Sequence, residues 1–113
     1  MDSLSEKLQE LQKIIKDADG YALITPEYNH SVSSALKNTL DCFLEEYFFK
    51  PSAIVSCSVG PFGGILAGNH LRQISAEMGA PAIQSRLPIS KVQEVFDNDG
   101  KLIDENYERI TFR

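Results

Sequence analysis

Two cysteines, Cys42 and Cys57, are all that the 113 residues hold. They form no C-x-x-C pair and no histidine clusters with them, which excludes a disulfide scaffold, a structural zinc site and a thioredoxin-like redox pair. Both are expected to be small buried hydrophobes of a cytoplasmic protein, kept reduced. Long apolar runs are missing too, and the longest fall far short of the ~18 residues that a membrane span needs. Met1-Asp2-Ser3-Leu4-Ser5-Glu6 lacks a cationic start followed by an apolar block, so no secretory leader is expected. Basic residues are in deficit: 11 Lys and Arg against 16 Asp and Glu leave a formal charge of -5 at pH 7. That balance argues against nucleic acid as a partner. What remains, 42% hydrophobic and 24% charged, is the composition of a single globular domain covering residues 1–113.

Hydrophobic periodicity divides this domain. Leu4, Leu8, Leu11, Ile15 and Ala18 recur at intervals of three and four and predict a helix. Ser3 and Glu6 form a capping-box pattern at its start, and Gly20 stands where a left-handed stop is expected. Tyr21 to Thr25 is a short apolar run, read as a strand buried on both faces. The polar segment Pro26–Ser31 is a loop. Ser33 or Ser34 caps a second helix, in which Leu36, Leu40, Phe43 and Leu44 share a face until Lys50-Pro51 ends it. Ala53–Cys57 is a second strand. The turn Ser58-Val59-Gly60-Pro61-Phe62-Gly63-Gly64 follows, opening a third helix that carries Leu66, Leu71, Ile74 and Met78 and stops at Gly79. Ala82–Leu87 is a third strand, and Asp97-Asn98-Asp99-Gly100 is a turn near the end. Helices alternating with strands over short connections predict an α/β fold with a parallel sheet and right-handed crossovers.

In such a sheet ligands bind beyond the carboxyl ends of the strands, where Pro26–Ser31 and Ser58–Gly64 lie. Gly60, Gly63 and Gly64 let backbone N–H groups approach a flat or anionic ligand near a helix N-terminus. Their spacing is neither G-x-G-x-x-G nor a Walker loop. From spacing alone, a helix start that merely needs glycines to turn explains them equally well. Other polar residues have plainer readings. Glu27 is an exposed loop carboxylate or a charge at a helix N-terminus, His30 a solvated loop residue and His70 a surface residue. Lys37 and Asp41 make an i,i+4 pair. In Asp97–Gly100, Val95 and Asn106 occupy the first and twelfth positions of the corresponding calcium loop, which rejects an EF-hand and leaves no metal site.

Thr25-Pro26-Glu27-Tyr28-Asn29, Leu36-Lys37-Asn38-Thr39-Leu40-Asp41, Lys50-Pro51 before a strand, and Ser58-x-Gly60-x-x-Gly63-Gly64 together resemble the NAD(P)H-dependent FMN reductase family. The likeness runs from about Ala18 to Gly100. It implies a flavodoxin-like three-layer parallel sheet, here truncated to about three strands with flanking helices. The family's first strand and the loop that grips the FMN phosphate have no counterpart before Leu4. By resemblance, Pro26, Glu27, Tyr28 and Asn29 line one side of FMN, and Ser58, Gly60, Phe62, Gly63 and Gly64 the other. The implied activity is hydride transfer from NAD(P)H through FMN to a small-molecule acceptor, a quinone or a flavin, with no protein nucleophile as catalytic residue. The alternative is an interaction module or remnant that keeps the fold without flavin. Under either reading, lacking the family's first two strands leaves Tyr21–Thr25 as an apolar sheet edge seeking a partner, and a homodimer, or docking to a chain that supplies the missing strands, would cover it.

Overall fold

A computed structural model describes residues 5–107. Three helices, α1 (Glu6–Asp17), α2 (Ser34–Leu40) and α3 (Ile65–Glu77), alternate with strands β1 (Tyr21–Pro26), β2 (Ser52–Cys57) and β3 (Ala82–Ile89). The sheet is wholly parallel in the order β1-β2-β3, with Leu23 beside Ile54 and Val55 beside Leu87. This is the α/β arrangement that the alternating periodicity predicts.

The core forms where the helices meet one face of this sheet. Leu23, Leu40, Phe43, Tyr47, Ile54, Leu71 and Ala80 are buried together, with Leu8, Leu11 and Ile15 of α1 packed against them. Each large side chain removed from water there contributes about 1.5–3 kcal/mol. The opposite face is poorly covered. Along β1, Leu23 and Thr25 are buried while Ala22 is exposed and Ile24 is 60% exposed, so the strand is buried on one face, not on two. A short apolar run reads the same in either case, because coverage is decided by elements elsewhere in the chain.

Caps and turns carry further corrections. Ser5, not the Ser3 of the expected capping box, receives the first N–H of α1, from Leu8 at 3.3 Å; Ser3 itself lies outside the described residues. Gly20 makes no left-handed stop: α1 ends at Asp17 with Ala18 as its C-cap, and the Lys50 ammonium donates to the Ile15 carbonyl at 2.9 Å. The smallness of Gly20 serves close packing instead, since a Cβ there would sit 3.1 Å from the Pro51 carbonyl oxygen. Ser33 caps α2, receiving the Leu36 N–H at 3.2 Å, and Gly79, at φ 84°, does end α3.

α2 stops at Leu40, ten residues before the expected end at Lys50. The buried Tyr47 hydroxyl donates to the Leu40 carbonyl at 2.9 Å, and the Leu44 N–H, its partner in a longer helix, donates to the Glu46 carboxylate at 2.8 Å. Leu44 therefore turns outward, 68% exposed, while Phe43 stays in the core. Cys42, expected to be buried, is exposed beyond the helix end, and Cys57 is half-buried; both thiols are free.

Candidate functional site

The carboxyl ends of β1 and β2 stand side by side, with Pro26 paired to Cys57, so the loops that leave them are neighbours. The first loop turns sharply at Asn29 and His30, φ 50° and 67°, closed by reciprocal 3.0 Å bonds between the backbones of Tyr28 and Ser31. Two consecutive positive φ angles make a tight reversal that asparagine and histidine tolerate better than most residues. The second loop turns into α3 through Gly63 and Gly64, φ 64° and 73°. A Cβ at Gly63 would lie 2.9 Å from the Pro88 Cβ, and one at Gly64 2.9 Å from the Cys57 carbonyl oxygen. Both glycines are thus required by the fold.

Between the loops is one hollow of about 460 Å³, lined by Pro26, Glu27, Tyr28, Cys57, Ser58, Val59, Gly60, Phe62 and Val92. It gathers six of the nine residues singled out from the sequence: Pro26, Glu27, Tyr28, Ser58, Gly60 and Phe62. The other three stand elsewhere. Asn29 lines an adjoining hollow that shares Pro26 and Tyr28 with this one and runs on to Val32 and Ser33, and Gly63 and Gly64 lie behind the wall, against strand backbone. Gly60 differs from its two neighbours. It has no positive φ, and a Cβ there meets nothing within 4 Å. Neither turning nor packing requires this glycine, which lines the hollow.

Hydrogen bonds hold the walls. The Glu27 N–H donates to the Cys57 carbonyl at 3.1 Å, and the Glu27 carboxylate accepts the Ala67 N–H in the first turn of α3 at 3.0 Å. Glu27 is therefore a brace between the first loop and α3, the helix N-terminal role open to it from the sequence. His70 Nδ1 lies 2.9 Å from the Ser31 hydroxyl and ties the same loop to the next turn of that helix. Across the hollow, the second loop is pinned by the segment after β3: Lys91 N–H to Gly60, Val92 N–H to Ser58, and the Gln93 amide to Val59. Val92, Val59 and Cys57 are lining residues that sequence reasoning missed. Nothing in periodicity marks Val92, which arrives through these pins; the place of Cys57 at the end of β2 could have marked it. Burial raises the pKa of the Cys57 thiol and keeps it protonated near neutral pH.

The hollow suits one face of a flat heteroaromatic ring. Tyr28, Val59 and Phe62 are 61%, 74% and 74% exposed, an apolar cost that a stacked ring would recover. The N–H groups of Val59, Gly60 and Phe62 donate to no acceptor among the described residues. A roomier groove of about 610 Å³ runs between α2 and the end of α3 beside the exposed Lys37–Asp41 ion pair, and neither loop reaches it.

A model of the NADPH-dependent FMN reductase family matches residues 2–94. The chain belongs to the NADPH-dependent FMN reductase family. An NAD(P)H-dependent FMN reductase of Pseudomonas aeruginosa is 34% identical over 103 residues, covering 87% of this chain and 56% of that protein. A 2-hydroxy-1,4-benzoquinone reductase of a Burkholderia species is 35% identical over 98 residues, covering 81% of this chain and 54% of that protein. The structure of the flavoenzyme NAD(P)H:(acceptor) oxidoreductase FerB of Paracoccus denitrificans superposes with a TM-score of 0.77 at 27% identity, covering 95% of this chain and 62% of that one. This FMN reductase family member has their flavodoxin-like fold and spans about half the length of the curated relatives it matches. Among the described residues, no helix is long and apolar enough to cross a membrane, and no three His, Cys, Asp or Glu side chains gather as a metal site.

Proposed function

We propose that the chain, residues 1–113 acting as one unit, binds FMN in the hollow between its two strand-end loops and passes reducing equivalents from NAD(P)H to a quinone or flavin. The observation that carries this reading is Gly60, a glycine that the backbone does not need, at a hollow shared by both loops. FMN, when bound, supplies the two-electron chemistry. The chain's residues do the rest. Phe62, Val59 and Val92 supply an apolar wall that excludes water, and the Tyr28 ring and hydroxyl close the opposite side. The N–H groups of Gly60 and Phe62 are placed to donate to a ring carbonyl or to negative charge on the ring. Glu27 and His70 fix the first loop on α3 and touch no reacting atom. The free thiols of Cys42 and Cys57 support a reducing, cytoplasmic location. The bare edge of β1 supports a homodimer.

Quenching of FMN fluorescence by the purified chain tests the binding. Iodoacetamide labelling tests the place: FMN is expected to protect Cys57 and leave the exposed Cys42 reactive. Equal protection of both thiols, or of neither at saturating FMN, overturns the assignment. A chain that quenches no FMN and oxidises no NAD(P)H in the presence of a quinone is an interaction module.

A further inference from the structure

Behind the loop hollow, one residue back along each strand, lie two buried hydroxyls. Thr25 of β1 and Ser56 of β2 are partners in the sheet register, 0% and 3% exposed, and the next register pair, Pro26 and Cys57, lines the hollow. We propose that these hydroxyls are a positioning pair: each fixes the backbone of its own loop, and together they set the spacing of the two walls between which a flat ring lies. The proposal rests on the FMN reading of the hollow and adds to it residues that touch no ligand.

The sheet pattern singles them out. On the covered face, the preceding register pair is Leu23 and Ile54, and both belong to the apolar core. Another apolar pair would extend that core; two hydroxyls stand there instead, and a buried hydroxyl is unfavourable unless it is bonded. Both are bonded, and every partner is backbone at a loop end. The Thr25 hydroxyl donates to the Pro26 carbonyl at 2.7 Å and accepts the Ser33 N–H at 3.1 Å. Pro26 leads into the first loop and Ser33 closes it as the cap of α2, so one side chain holds both ends of the segment that carries Glu27 and Tyr28. The Ser56 hydroxyl donates to the Gly63 carbonyl at 2.7 Å. That bond draws the end of the second loop onto the sheet, where Gly63 is also pressed against Pro88, and so fixes the residue that follows Phe62.

Ser52 supplies the comparison. Its hydroxyl, on a residue 2% exposed, donates to the Ala80 carbonyl at 2.8 Å, but at the amino end of β2, away from the hollow. Loss of either serine's bond should lower stability, whereas only a loss at the carboxyl ends of the strands should change the ligand site.

Thr25→Val keeps the side-chain shape and removes the hydroxyl; Thr25→Ser keeps the hydroxyl. FMN affinity of the purified full chain, read from fluorescence quenching, should fall about tenfold in Thr25→Val and in Ser56→Ala, and stay at the parental value in Thr25→Ser and in Ser52→Ala. Parental affinity in Thr25→Val or in Ser56→Ala overturns the proposal. So does a loss in Thr25→Ser equal to that in Thr25→Val, or a loss in Ser52→Ala equal to that in Ser56→Ala. Amide dispersion verifies that each variant folds. Where one does not, hydrogen exchange of the unmodified chain decides: saturating FMN should slow exchange of the Ser33 amide, which Thr25 holds, and an unchanged rate with FMN bound overturns the proposal. A readout free of flavin separates this proposal from the reading on which it rests. In Ser56→Ala the neighbouring Cys57 thiol should label with iodoacetamide about tenfold faster than in Ser52→Ala, because the second loop opens more often. That difference in a chain that binds no FMN upholds the positioning role and sinks the flavin reading. Its absence sinks the positioning role, whether FMN binds or not.

Discussion

Gly60 and Gly63 stand three residues apart in one turn, yet a methyl group added to each meets different surroundings. At Gly63 it would be forced into the backbone of Pro88 and Ile89 at a φ of 64°. Gly63→Ala is therefore expected to destabilise the chain by about 1–3 kcal/mol, read as a lower urea midpoint. At Gly60 the methyl meets open space, so Gly60→Ala should unfold at the same midpoint and still lose FMN affinity, because it intrudes on the hollow. A Gly60→Ala chain that binds FMN as the parent does would remove the main support for the site. Glu27 gives a second pair. Glu27→Gln keeps an oxygen for the Ala67 N–H and should retain stability, whereas Glu27→Ala strips a capping bond worth about 1 kcal/mol and loosens Tyr28. Equal loss in both variants, measured by thermal unfolding and FMN quenching, would mean that the negative charge itself matters. The block Thr25–Asn29 made this loop legible as part of a site, but nothing in the sequence separated Glu27 as a brace from Tyr28 as a wall. That distinction depends on the Ala67 N–H in the first turn of α3, forty residues later.

At the scale of elements, the strands and α3 could be read because apolar periodicity and glycine stops agree with the packing that results. The end of α2 could not. Its apolar spacing continues through Phe43 and Leu44, and the helix is ended by a side chain seven residues on, the Tyr47 hydroxyl at the Leu40 carbonyl. Tyr47 is 2% exposed and stacks edge-on with Tyr21 and Phe43 at ring separations of 5.7 and 6.4 Å. Desolvation foremost, with Tyr21 and Glu46 adding to it, pushes its pKa from 10.0 up to about 12. A phenol harder to ionise when folded gives stability that is complete below the unfolded value and is lost as pH rises from 10 towards 12. Urea unfolding across that window should show the loss, with a shallower slope in Tyr47→Phe. Identical slopes would place the alkaline sensitivity in another group. Glu46 acts at the other end of the scale. The Gln12 amide and then the Leu44 N–H lower its pKa, so its contribution is present above the unfolded carboxylate range and fades as pH falls through the lowered value.

Across the whole molecule the sheet has two unequal faces and one bare apolar edge. Helices cover the side of Leu23, Ile54 and Leu71, while Ile24 of β1 and Ile83 of β3 are 60% and 48% exposed. Such a face and such an edge are liabilities in water unless another element or another chain meets them. The edge itself was foreseeable, since an open sheet of three strands leaves both terminal strands, β1 and β3, paired on one side only. The uncovered face was not, because apolar runs carry no mark of how many layers will pack on them. If two copies meet there, Ile24 is at the contact. Light scattering at micromolar concentration should give about twice the 12.6 kDa of the chain. Ile24→Lys, a charge on a strand edge, should return the monomer without unfolding it, since the side chain already faces solvent in one copy. A parent chain that scatters as a monomer, or an Ile24→Lys variant that remains a dimer, would move the contact to another surface. The exposed Phe49, at 98%, and the α2–α3 groove are the next surfaces to probe.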